Sequence, residues 1–92
     1  MMTLNDSIKR RDDLVAAPMD DSLVMMDIKS GKYFNLSGAG NEIWKFTENK
    51  ITVSDLISKL MEIYEVTREE CERDTLEYLI ELEKRSLIIV ER

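Results

Sequence analysis

The chain has no histidine, a single cysteine, a single proline and only three glycines, and each scarcity excludes something. Without histidine it lacks both the commonest general base and the commonest metal ligand. Cys71 can form no internal disulfide, has no CxxC partner, and has no imidazole to draw it toward a thiolate. It is therefore expected to be a small core residue, not a nucleophile or a metal ligand. Gly31, Gly38 and Gly40 have neither the spacing of a phosphate-cradling loop nor the Lys-Ser/Thr pair that ends one. No apolar run approaches the roughly 20 residues that cross a bilayer. With no signal-peptide pattern either, the expected compartment is the cytoplasm. A net charge of −6 argues against a broad basic footprint for nucleic acid or an anionic membrane. No catalytic residue, metal or cofactor is expected, so the chain should work by binding.

With 43% hydrophobic and 35% charged residues, the composition is that of one small globular domain over residues 1–92. Residues 1–13 are polar and charged and are expected to be frayed or partly extended. Lys9-Arg10-Arg11 is followed at once by Asp12-Asp13, which makes it a poor recognition arm. Leu14 to Met19 reads as a strand, and Pro18 places it at a sheet edge because proline cannot donate to a ladder. Asp20-Asp21 is expected to be a turn. Ser22 to Ile28 is apolar at both parities and reads as a central strand covered on both faces. Lys29-Ser30-Gly31 is a hairpin loop, and Lys32 to Leu36 is the third strand, on the edge opposite Pro18. This third strand has neither proline nor paired charges to blunt it, so its outward backbone groups are open to pairing.

The rest reads as helix. Ser37 is expected to cap a first short helix whose Ile43 and Trp44 pack inward. Thr52 with Asp55, and Thr67 with Glu70, are cap signals for a second and a third helix. Val53, Leu56, Ile57, Leu60, Met61 and Tyr64 follow the helical repeat, and the third helix is expected to end near Arg85. Leu87 to Val90 is an apolar tail, either a strand or a flap on the core. The expected fold is thus α+β, winged helix-turn-helix-like, a three-stranded antiparallel sheet followed by three helices. The third helix occupies the place of a DNA-reading helix, yet it carries seven acids (Glu69, Glu70, Glu72, Asp74, Glu77, Glu81, Glu83) against four bases (Arg68, Arg73, Lys84, Arg85). Such a helix repels phosphates.

That helix carries two apolar stripes. Cys71, Thr75, Tyr78, Leu79 and Leu82 form an ordinary core face. Leu76 and Ile80 lie well round from it, bordered by Arg73 and Glu83, and Leu87 would join them if the helix reached that far. Either the second stripe packs under the sheet or the tail, or it walls a groove whose other side is the open third strand. In the second case an extended peptide would add a strand to that edge and drop alternate side chains onto Leu76 and Ile80.

Four stretches occur in an order and spacing that resemble the PqqD family, over about Leu14 to Ile89. They are Gly31-Lys32-Tyr33-Phe34-Asn35-Leu36-Ser37, Gly40-Asn41-Glu42-Ile43-Trp44, Thr52-Val53-Ser54-Asp55-Leu56, and the series Asp74-Thr75, Tyr78-Leu79 and Leu82. The resemblance implies a recognition element for ribosomally made, post-translationally modified peptides, which binds a precursor's leader segment and delivers it to modifying enzymes. The compact stand-alone form is most similar to the leader-binding proteins of lasso-peptide biosynthesis. It implies a transglutaminase-like cysteine leader peptidase as partner, upstream of an asparagine-synthetase-like cyclase. Carried over by position, the leader-binding residues are Lys32, Tyr33, Phe34 and Asn35 on the strand with Arg73, Leu76, Ile80 and Glu83 on the helix. Ser86 stands where the family usually has glycine. The alternatives are a PqqD-type peptide chaperone for a radical enzyme, a winged-helix DNA-binding regulator and, last, an enzyme. The open edge also allows self-pairing into a homodimer.

Overall fold

The computed structural model describes residues 2–19 and 22–91. In chain order the elements are β1 (Ser7–Arg10), β2 (Leu14–Met19), β3 (Ser22–Asp27), β4 (Lys32–Ser37), α1 (Ala39–Phe46), β5 (Ile51–Thr52), α2 (Val53–Ile63), α3 (Arg68–Lys84) and β6 (Ile88–Glu91). The α+β, winged helix-turn-helix-like architecture is the expected one. It has two antiparallel sheets, however, ordered β2-β3-β4 and β5-β1-β6, where one was expected.

The β2-β3-β4 sheet is the meander read from the sequence. Pro18 lies on its edge strand, opposite Leu23 of β3. Gly31 turns the β3–β4 hairpin with φ 71°, and its amide donates to the Asp27 carbonyl at 2.7 Å. The Asp20-Asp21 turn lies outside the described residues. Strand β3 is central, but it is not covered on both faces: Met25 is buried and its neighbours are half-buried. One face meets the helices, and the other has no covering layer.

The amino-terminal segment is a correction to the frayed alternative. β1 is extended and sits between β5 and β6, with Ile8 fully buried. The cause lies at the start of α2, whose first amides need acceptors. Val53 and Ser54 donate to the carbonyls of Asp6 and Leu4 at 2.9 and 3.1 Å. The Asp55 amide donates to the Thr52 hydroxyl at 3.1 Å, the cap read from the sequence. Arg10 is tied inward as well, donating to the Trp44 carbonyl at 3.1 Å with its guanidinium 5.2 Å from the Trp44 ring centre.

α1 begins one residue later than expected. Its N-cap is Gly38 at φ 57°, and Ser37 is the last residue of β4. Turning from strand to helix with no spacer takes a left-handed residue, which glycine supplies without strain. α3 starts as expected, with the Glu70 amide donating to the Thr67 hydroxyl at 3.2 Å. It ends in a Schellman motif: Leu87 donates to the Leu82 carbonyl and Ser86 to that of Glu83, both at 2.9 Å. Ser86 holds the left-handed position at φ 59°, which explains why glycine suits this place. Leu87 is buried as the apolar residue of that motif and does not extend the second helix stripe. The core joins Ile8, Met25, Leu36, Ile43, Trp44, Leu56, Ile57, Leu79 and Leu82.

Candidate functional site

β4 is hydrogen-bonded to β3 on one side and ends the sheet on the other. Its side chains alternate. Lys32, Phe34 and Leu36 share the face that carries Met25, while Tyr33 and Asn35 share the opposite face with Met26 and Val24. Phe34 is half-buried and Leu36 buried, whereas Lys32, Tyr33 and Asn35 are exposed.

α3 runs alongside this edge in the opposite sense. Lys32 and Phe34 face Lys84, Arg85 and Ser86 across a cleft of about 370 Å³. Asn35 and Leu36 face Tyr78, Glu81 and Arg85 across a second cleft of about 210 Å³. Tyr78 is held against α1, where a Cβ on Gly40 would collide with its hydroxyl. Burial raises the Tyr78 phenol above its ordinary pKa, and the charge of Arg85 opposes that rise.

Arg11 ties one end of the groove together. Its guanidinium meets Asp13 at 2.7 Å, Asp27 at 3.2 Å and the Ser86 carbonyl at 2.9 Å, so one side chain links the β3–β4 hairpin to the end of α3. The hydrogen bond from Arg11 holds the Asp13 carboxyl below its ordinary pKa. At Asp27 burial works against ionisation, but bonds from Arg11 and from the Lys29 amide outweigh it and keep that carboxyl low too.

The structure therefore brings Lys32, Phe34 and Asn35 into the two clefts, but not the four helix residues expected beside them. Arg73 is exposed, Leu76, Ile80 and Glu83 are half-buried, and none of the four lines either cleft. Leu76 and Ile80 pack against the core cluster. They project about 200° round the helix from Tyr78, so both sides cannot face β4. Tyr78, on the other flank, is half-buried and packs against the same core cluster. Glu81 and Arg85, which line the clefts, are not among the expected site residues, and Tyr78, expected on the core face, both packs against the core and lines the second cleft. The signal that could have found this flank is Gly40, a glycine inside a helix, which marks a close approach by another side chain.

Two other surfaces bear on the site. The sheet face away from the helices is apolar and open, carrying Val15, Met26 and Tyr33 in one cross-strand row. Val15 is 49% exposed and Tyr33 71%. A larger cleft, about 540 Å³, lies at the opposite sheet edge, between Pro18, Leu23 and Trp44. It is a poorer place for an extended chain, because Pro18 removes a donor there and Arg10 and Glu48 are already paired at 3.7 Å. Cys71 is buried, with its sulfur 3.8 Å from the Thr75 hydroxyl. No group of metal-holding side chains occurs among the described residues, and none of their helices is long and apolar enough to cross a membrane.

A strand with one open edge, flanked by helix-lined clefts, defines a small module with the geometry to accept an extended chain. The chain belongs to the PqqD family: the family model described as coenzyme PQQ synthesis protein D matches residues 22–88. Among solved structures it is similar to TbiB1 in complex with the TbiA(beta) leader peptide. That match has 30% identity and a TM-score of 0.78, and covers 87% of this chain and 93% of that one. It is similar in fold to lasso peptide synthetase B1 complexed with the leader peptide, at 24% identity and a TM-score of 0.77, covering 89% of this chain and 96% of that one. No curated protein matches the chain.

Proposed function

We propose that this protein is a non-catalytic recognition element that binds the leader segment of a ribosomally made precursor peptide, of the lasso class, by strand addition to β4. The observation that carries the reading is the unpaired β4 edge with α3 standing beside it. Backbone pairing supplies affinity, and the clefts beside Phe34 and Leu36 read alternate side chains. The support for a leader as the occupant is the family, together with the leader peptide bound in the 30%-identical TbiB1 structure.

The peptide-contacting residues in this reading are Lys32, Phe34 and Asn35 from the strand, with Tyr33 taking part through its backbone, and Tyr78, Glu81 and Arg85 in place of Arg73, Leu76, Ile80 and Glu83. The partner is a leader peptidase of the transglutaminase-like cysteine class, and this protein raises the effective concentration of the cleavage site at that enzyme. The open apolar face around Val15, Met26 and Tyr33 is a surface that such a partner can cover. A second copy paired through β4 competes with the peptide for the same edge.

The test is to titrate isotope-labelled protein with synthetic leader peptides, beginning with the TbiA(beta) leader bound by the similar TbiB1. Expected are low-micromolar or tighter binding and shifts concentrated in the amides of β4 and in Tyr78, Glu81 and Arg85. Shifts confined to other elements, or no binding, would remove strand addition from the account. A parallel cleavage assay should show no peptidase activity in this protein alone and cleavage once the peptidase is added.

A further inference from the structure

One end of the groove is basic in a chain that is acidic as a whole. Lys32 enters the 370 Å³ cleft from β4, and Lys84 and Arg85 enter it from the end of α3. The acid in its lining, Asp27, is already engaged by Arg11 at 3.2 Å. Among the described residues, the basic side chains with neither an ion pair nor a ring contact are Lys32, Lys45 and Arg85. Two of these three line this one cleft, from two different elements. With net charge −6 the chain has acids to spare, yet none neutralises this pair.

The negative pole of α3 opposes an anion here, but its reach is curtailed. The last carbonyls of α3 accept from the Arg85, Ser86 and Leu87 amides, and the Ser86 carbonyl accepts from Arg11. The neighbouring cleft is different: Leu36, Leu82 and Leu87 line it with the Tyr78 ring, and its one acid, Glu81, is paired with Lys84 at 3.8 Å and shares the cleft with Arg85.

We infer that the Lys32–Arg85 cleft receives the carboxylate of an aspartate or glutamate side chain of the bound peptide. The inference rests on strand addition at β4. Residues on one face of an added strand recur every second position, so this acid lies two residues from the side chain facing Leu36 and Tyr78. That second position faces Leu36, Leu82, Leu87 and the Tyr78 ring, so it should be apolar or aromatic. The two clefts together then read a spaced pair and give the peptide one register.

The experiment selects random 20-residue displayed peptides on the immobilised full-length protein, and repeats the selection on Lys32→Glu/Arg85→Glu and on Lys32→Gln/Arg85→Gln. Both residues are exposed, and a thermal melt checks that the variants keep the fold. Selected peptides are then titrated into labelled protein to see whether they move the β4 amides. Expected for the unaltered protein is enrichment of Asp or Glu two positions from an apolar residue. The glutamine pair should lose the enrichment, and the charge-reversed pair should exchange it for Lys or Arg. The best acidic peptide should bind the charge-reversed protein at least tenfold more weakly, the scale of a lost charge-assisted contact. Peptides that move the β4 amides but carry no acidic position overturn this inference and leave strand addition standing. Peptides that leave those amides unmoved overturn strand addition, and the inference with it.

Discussion

On α3 the flank carrying Leu76 and Ile80 is apolar and half-covered, while the flank carrying Tyr78, Glu81 and Arg85 is polar and borders an open strand. Hydrophobicity alone points to the first as a binding surface, yet its two side chains pack against the core and line neither cleft beside β4. In the proposed reading the second is the groove wall, and a groove that reads an extended chain need not be greasy. Affinity in strand addition comes from backbone groups, and the side chains need only shape and charge.

The widest separation between the helix faces is at the core itself. Leu82 is 3% exposed, and Leu82→Asp would place an unpaired charge there at a cost of about 4 kcal/mol or more. That is enough to unfold a domain of this size, as circular dichroism would show. The two flanks come next. Tyr78→Ala is expected to reduce affinity for the leader-region peptide by about 2 kcal/mol, the scale of an interface hot spot, in a protein that still melts cooperatively. Ile80→Ala is expected to do the reverse, costing about 1–2 kcal/mol of stability as apolar packing is lost and leaving affinity unchanged. Calorimetric titration and thermal melts of this pair decide between the flanks. An affinity loss in Ile80→Ala with none in Tyr78→Ala would restore the stripe as the groove wall.

A smaller effect is expected at the end of the groove. Ser86→Gly relieves a left-handed serine and should raise stability by about 0.5–1 kcal/mol, read from a denaturant midpoint. No gain would mean that the Schellman turn holds serine without strain. The last effect concerns pH. Asp13 and Asp27 have lowered pKa values in the folded protein, so the unfolded chain binds more protons in the acid range. Their contribution is complete above the ordinary carboxylate pKa, about 3.9, and disappears as pH falls through the lowered values. Denaturant titrations from neutral pH down to about 2.5 should show that loss, and Asp27→Asn should flatten it. An unchanged pH slope in that variant would detach Arg11–Asp27 from stability.

The local grammar of this chain is plain in its residues. Pro18 marks an edge, Gly31 a hairpin, and Thr52 and Thr67 two caps, because each effect is settled within four residues. The second sheet was not legible for the opposite reason. Ser7 to Arg10 is short and charged, and becomes a strand only because the start of α2 needs the Leu4 and Asp6 carbonyls and β6 returns to pair with it. The candidate site was half legible. The open edge follows from strand order, but a helical wheel leaves two flanks of α3, and which of them lines the clefts beside β4 depends on packing far apart in sequence, such as Tyr78 against Gly40.

The placing of β1 has a consequence for how the molecule assembles in time. Ser7 pairs with Thr52 on one side and with Glu91 on the other, so the β5-β1-β6 sheet joins the two ends of the chain. The β2-β3-β4 sheet, by contrast, is made of hairpins between successive strands, contacts that close quickly because little chain entropy is lost. On a growing chain, β2, β3 and β4 emerge from the ribosome before α3 and β6 have been made. In the proposed reading, the strand that would accept a peptide is thus present before the helix that would restrict its choice. Early in synthesis β4 is then an open edge without α3 beside it, and any specificity the helix adds comes only with the last quarter of the sequence.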